Sequence, residues 1–211
     1  MTAPLIAPAG EPADSCPWLP RIQSTLTSWR PRSIPGANLM NRAAVAGILR
    51  QPRRGDTELL FIRRADNPRD PWSGHMAFPG GRKEPDDPSL IATAERETRE
   101  EIGLDLTTAG QTIGRMSEVI ASARGRRLPL VITPYYYQLT QEPELTLNEE
   151  VAEVIWVPVP WLADTRNRGE MTWSMGGVPI PLPCYRYEGR VIWGLTLKML
   201  DELLEAIRRN S

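Results

Sequence analysis

The stretch GGRKEPDDPSLIATAERETREEIGL, residues 80–104, decides how the chain is read. Ser89, following Pro88, can cap a helix with its hydroxyl, and Gly103 can end one in the left-handed conformation. The spacing therefore predicts a helix from Ser89 to about Ile102. At roughly 100° per residue, Ile91, Ala94, Thr98 and Ile102 form a buried stripe. Glu97, Glu100 and Glu101 cluster beside it, and Asp87 can approach if the preceding loop folds back. Like charges so spaced repel one another. A hard divalent cation resolves that repulsion, because Mg²⁺ prefers oxygen ligands and reaches phosphates through such carboxylates. A solvated acidic face, helped by Arg96 and Arg99, is the alternative that spacing alone leaves open.

Outward from this helix, AAVAGILR (43–50) and ELLFIRR (58–64) read as strands around a turn. Residues 65–81, rich in Pro, Gly, Asp and Asn, read as a long loop carrying Trp72, His75 and Phe78. Downstream, MSEVIAS (116–122), LVITPYYYQL (130–139) and VAEVIWVPV (151–159) read as strands, and ARGRRL (123–128) as a basic turn. A short helix near 160–165 precedes a Gly/Pro/Trp-rich stretch, 166–190, with short extended pieces at best. Residues 194–209 form an amphipathic helix, with Leu197, Leu200, Leu204 and Ile207 at helical spacing. Residues 19–30 suit a short helix after a loose tail. The expected division is thus 1–40, a tail and short helix, and 41–211, one mixed α/β domain.

Composition narrows the function. The chain has 211 residues and a formal charge of −1, from 25 basic and 26 acidic groups. That balance provides neither a cationic footprint for nucleic acid nor a polybasic membrane anchor. Residues 81–105 hold 4 basic and 8 acidic groups, an acidic block in a near-neutral chain. Only Cys16 and Cys184 occur, so a disulfide framework is not expected, and a reducing, cytoplasmic setting fits. The amino terminus lacks the basic region and apolar core of a secretory signal. With one histidine, His75, there is no His/Cys cluster for zinc. GGRK lacks the spaced glycines and Ser or Thr of a nucleotide-triphosphatase loop.

The stretch 80–104 resembles the signature of the Nudix hydrolases: Gly81 opens it, and Arg96, Glu97, Glu100, Glu101, Gly103 and Leu104 close it. The spacer is one residue longer than the commonest form, and Asp87 stands where Glu is usual. The resemblance implies an α/β (α+β) Nudix fold, a mixed β-sheet sandwiched between helices. It also implies metal-dependent attack of water on a phosphorus of a nucleoside diphosphate linked to another group. Glu97, Glu100 and Glu101 would ligate Mg²⁺ or Mn²⁺, and Asp87 would contribute weakly from outside. Arg96 would pair with a neighbouring carboxylate and orient the site. The proton acceptor varies in the family; Glu100 or Glu150 is the choice here, with an exposed loop residue as the alternative for Glu150.

Upstream, LLFIRRADNPRDPWSGHMAFPGG (59–81) is similar to the accessory motif of the coenzyme A pyrophosphatase branch, through Leu59, Leu60, Arg63, Ala65, Gly74 and Phe78 to Gly81. Phe61 and Arg64 depart from that pattern, and Asp70 falls where it has a second arginine. This likeness makes coenzyme A or its thioesters the expected substrate, with Arg63, Arg64, Arg69, Phe78, Gly80 and Gly81 in contact with it; the alternatives are another nucleoside diphosphate derivative, such as ADP-ribose, a dinucleoside polyphosphate or a nucleoside triphosphate, and a non-catalytic binding module. Of the basic residues 23 are Arg and two are Lys, and guanidinium suits phosphate through paired contacts. Trp72, Trp173 and Trp193 are read either as a wall for the substrate or as packing, and His75 as a structural hydrogen-bonder. A homodimer is expected, paired through residues 19–30 and the tryptophan-rich stretch 156–193.

Overall fold

A computed structural model describes residues 18–67, 73–121, 129–175 and 178–210. The tail 1–17 with Cys16, Arg69, Trp72 and the basic turn lie outside the described residues. Strand β1 (Asn41–Arg50) is buried along nearly its whole length because both faces of its sheet are covered. Ala43, Val45 and Leu49 enter one core, and Ala44, Ala46 and Ile48 enter the other. Strand β2 (Glu58–Arg64) divides likewise, Leu59 and Phe61 against Leu60 and Ile62. β1 pairs antiparallel with β2 and parallel with β7 (Leu130–Leu139), so the sheet is mixed. Around that centre lie β3 (Met76–Ala77) on β2, β4 (Gly80–Arg82) on β1, β5 (Gly110–Arg115) and β6 (Val119–Ala121) on β7, and β8 (Val151–Pro158) on β2.

Helix α2 (Leu90–Ile102) starts and stops where its caps dictate. The Ser89 hydroxyl accepts the Ala92 N–H at 3.2 Å, and Gly103 adopts φ 71° with its N–H on the Arg99 carbonyl. Ala94 and Ile102 seal one face of the sheet, with help from the one-turn helix α3 (Leu106–Ala109). The opposite face is closed by α5 (Gly194–Arg209) and α1 (Trp18–Ser28), joined by the short α4 (Val159–Ala163). Two helical layers thus enclose a mixed sheet, the architecture expected from the sequence.

Two expectations change. Residues 166–190 are no loose stretch. β9 (Arg168–Met175), β10 (Val178–Tyr187) and β11 (Arg190–Trp193) form a separate antiparallel sheet. Nor are residues 18–40 an appendage. Leu19, Ile22 and Leu26 are buried in the same core as Leu200, Leu203 and Ile207 of α5, and the connector is tied down by Arg32 N–H to Ser117 Oγ (2.9 Å) and Ile34 N–H to Glu118 Oε2 (2.6 Å). The apolar groups of α1 that pointed to a dimer interface are spent within the chain.

Candidate active site

Strand β4 pairs with β1 and lies against the carboxylate side of α2, with a glycine at each contact. At Gly80, φ is 143°, and a Cβ would stand 2.3 Å from the Ala44 carbonyl oxygen. Its N–H donates to Glu101 Oε2 at 2.8 Å. At Gly81 a Cβ would overlap the Glu97 carboxylate at 2.4 Å. Of these two expected substrate contacts, Gly80 lets β4 close on β1 and Gly81 lets backbone approach the Glu97 carboxylate.

Arg96 organises the other carboxylates. It donates from Nε and Nη2 to the two oxygens of Asp87 (2.9 and 3.0 Å), from Nη1 to Glu100 (2.9 Å), and from Nη2 to Glu97 (3.0 Å) and the Arg82 carbonyl (3.0 Å). Asp87 also accepts from Thr93 Oγ1 and the Glu84 N–H, both at 2.9 Å. The Arg96 guanidinium holds the Asp87 carboxyl well below the usual carboxylate range, with the Glu84 and Thr93 hydrogen bonds adding to it. Asp87, expected as an outer metal contributor, has both oxygens engaged in anchoring Arg96.

Glu101 is 2% exposed. Burial pushes its carboxyl up to about 8, against the opposing pull of the Gly80 N–H and Arg64, while Glu97 and Glu150 push the same way as burial. Glu97 is likewise raised, by burial first and then by Glu100 and Glu150, with Arg96 opposing. Glu150 thus bears electrostatically on both helix glutamates. Its loop is drawn to the end of α2 by Thr146 N–H to the Ile102 carbonyl (2.9 Å) and Asn148 N–H to the Glu101 carbonyl (3.0 Å). The spacing of Glu150 in the sequence carries no sign of this return, which depends on the loop's own backbone bonds.

The upstream arginines part company. Arg64 Nη1 stands 3.9 Å from Glu101 Oε1. Arg63 Nε instead bonds Glu153 at 2.9 Å on the other side of β2. A bulge between these two residues in the pairing with β8 adds to the ordinary alternation of side chains. Phe78, expected to touch substrate, is 2% exposed, with its ring stacked 5.1 Å from Phe61 and edge-on to Tyr136. It is a core residue, and the expectation is corrected.

Among the described residues no three His, Cys, Asp or Glu side chains are already gathered to hold a metal. Arg96 occupies Glu97 and Glu100. The donor chemistry nonetheless fits a hard divalent cation. The groups that repel one another here are all carboxylates, two of them desolvated enough to resist ionisation, and a cation relieves both penalties.

A glutamate-bearing helix gripped by a glycine strand, on a mixed sheet enclosed by helices, is the architecture of the Nudix hydrolases. The NUDIX domain model matches residues 40–173. The chain is 30% identical over 155 residues to the uncharacterized Nudix hydrolase NudL of Yersinia pestis, spanning 73% of this chain and 74% of that protein. It is 38% identical over 104 residues to the uncharacterized protein C14C4.10c of Schizosaccharomyces pombe, across 48% of this chain but only 32% of that longer protein. In three dimensions it is similar to a MutT/nudix family protein from Enterococcus faecalis, with a TM-score of 0.52, 18% identity, and coverage of 87% of this chain and 65% of the other. The chain belongs to the Nudix family. It is a Nudix hydrolase of a nucleoside diphosphate derivative, and enzymes of this family generally use divalent metals such as Mg²⁺ or Mn²⁺. Among the described residues no helix is long and apolar enough to cross a membrane.

Proposed function

We propose that the protein hydrolyses the diphosphate bridge of coenzyme A or acyl-coenzyme A, giving 3′,5′-ADP and (acyl-)4′-phosphopantetheine. The observation that carries the hydrolytic part is the buried Glu101 carboxylate, seated on the Gly80 N–H with Glu97 and Glu150 beside it. The choice of coenzyme A is supported by the likeness of 59–81 to that branch's accessory motif, carried by Leu59, Leu60, Arg63, Ala65, Gly74 and Phe78 to Gly81. Glu97, Glu100 and Glu101 are the proposed ligands for Mg²⁺ or Mn²⁺. Held there, a divalent cation would offset the charge growing on the phosphate oxygens and make water more acidic.

The chain's own groups do the rest. Gly80 fixes Glu101 through its N–H, and Arg64 offers a cation beside it for the diphosphate. Arg96, held by Asp87, positions Glu97 and Glu100 rather than touching substrate. Glu150, exposed yet close enough to perturb Glu97 and Glu101, is the better-placed acceptor for the proton of the attacking water. Glu100 is half-exposed and bound to Arg96. The test is an assay in Mg²⁺ and in Mn²⁺ against coenzyme A, acyl-coenzyme A, ADP-ribose, dinucleoside polyphosphates and nucleoside triphosphates. Coenzyme A turnover that disappears on chelation supports the proposal. Hydrolysis of ADP-ribose or a dinucleoside polyphosphate without coenzyme A turnover overturns the choice of substrate.

A further inference from the structure

A helix leaves its last carbonyls without partners of its own, and in α2 two of these belong to Glu101 and Ile102. The loop between β7 and β8 supplies donors to both, through the N–H groups of Asn148 and Thr146. Asn148 does more than cap the helix. Its side-chain Oδ1 accepts the Glu150 N–H at 2.9 Å, and its carbonyl accepts the Val151 N–H at 3.3 Å. We infer that Asn148 is a positioning residue for the hydrolysis: it ties the backbone of Glu101 to that of Glu150, so that Glu150 and not its neighbour Glu149 is presented to the helix glutamates. The inference rests on the proposed role of Glu150 as proton acceptor but not on the choice of coenzyme A.

Glu150 is held at both of its backbone groups. Its N–H is taken by Asn148, and its carbonyl accepts the Ala65 N–H at 2.8 Å. The peptide planes on either side of its Cα are thereby pinned, which leaves the side chain only its own rotations. Both anchors lead back to the site. Asn148 hangs from the Glu101 carbonyl, and Ala65 directly follows Arg64, whose guanidinium stands 3.9 Å from the Glu101 carboxylate. Glu149 and Glu150 are both exposed and chemically alike. Of the two it is Glu150 whose charge bears on Glu97 and Glu101.

The residue type at 148 follows from this duty. A side-chain oxygen accepting the N–H two residues on is a turn that Asn and Asp both make. Asp105 makes it with the Thr107 N–H at 2.9 Å, and Asp164 with the Arg166 N–H at 3.0 Å. At 148 the neutral amide offers the same acceptor without adding a carboxylate to the crowded end of α2.

The experiment uses the full chain as wild type, Asn148→Ala, Glu150→Gln and the double variant, assayed in Mg²⁺ on coenzyme A and on ADP-ribose in parallel. Asn148→Ala is expected to lower kcat at least about ten-fold with KM within about two-fold, as a misplaced proton acceptor should. In the Glu150→Gln background the same change should cost little more, because the group it positions is already gone. Amide exchange followed by NMR gives a reading independent of turnover. The Glu150 N–H should be protected in the wild type, exposed in Asn148→Ala and protected again in Asn148→Asp. An unprotected Glu150 amide in the wild type, full kcat in a folded Asn148→Ala, or a loss undiminished in the Glu150→Gln background overturns the inference. Full turnover by Glu150→Gln overturns the proton-acceptor role itself, whereas a slow Glu150→Gln beside an unaffected Asn148→Ala overturns the inference alone.

Discussion

Glu101 concentrates the chemistry of the site in one side chain. Its carboxylate is buried, fixed by a single backbone N–H, and pushed up to about 8 where an exposed glutamate sits near 4.5. Replacing it by Gln keeps its size and removes the charge, so Glu101→Gln is expected to cut turnover at least about 100-fold, as when an electrostatic contact to a transition state is lost. Unchanged turnover in a folded variant removes the assigned role. The same burial has a consequence for stability. Between about pH 4.5 and 8 the folded, metal-free chain keeps a proton that the unfolded chain releases. Folding therefore takes up a proton, and stability falls as pH rises across that window. Melting temperatures in EDTA are expected to drop from pH 5 to pH 8, and the drop should shrink with Mg²⁺ and in Glu101→Gln; a wild-type profile that rises or stays flat contradicts the proton held at Glu101. Two neighbouring arginines show where residue reading stops. Arg63 and Arg64 look equivalent in FIRRAD, but alternation and a bulge send one to Glu153 and the other to Glu101.

At the scale of elements, β4 and α2 meet through glycines that do different work. A methyl group at Gly81 collides with the movable end of Glu97, whereas one at Gly80 collides with the backbone of Ala44 and Val45 at a φ that side chains avoid. Gly81→Ala should therefore fold with near-normal stability while losing turnover by about ten-fold or more through the displaced Glu97. Gly80→Ala should lose about 1–3 kcal/mol of stability. Gly169→Ala, which meets nothing nearby, serves as a neutral control, and denaturant melts with parallel rate measurements separate the three. Capping makes α2 legible in the sequence, since Ser89 and Gly103 carry their own geometry. The core strand 130–139 is legible too, from a continuous apolar run. Strand β10 is hidden by its prolines. Pro179, Pro181 and Pro183 alternate, and they pair only with β9, because β11 begins its pairing at Cys184. Their missing N–H groups thus face an open edge, where proline is tolerated. The placement of Glu150 is hidden because backbone bonds from 146 and 148, not side-chain pattern, bring its loop to α2.

In the whole molecule, the helices on the far side of the sheet support the site without touching it. Ile22 of α1 is fully buried among α5 residues, so Ile22→Ala should cost about 2–5 kcal/mol, read as a lower denaturation midpoint. Removing residues 18–35 should accordingly impair folding, where an appended dimerisation helix would come away without loss. The most direct test is hydrolysis of coenzyme A in H₂¹⁸O with Mg²⁺, followed by mass analysis of both products. The account predicts 3′,5′-ADP and 4′-phosphopantetheine in equal amounts, with one ¹⁸O on a phosphate of only one of them. Release of the 3′-phosphate with the diphosphate bridge intact would contradict it, as would a bridge left uncut while another nucleoside diphosphate derivative is hydrolysed.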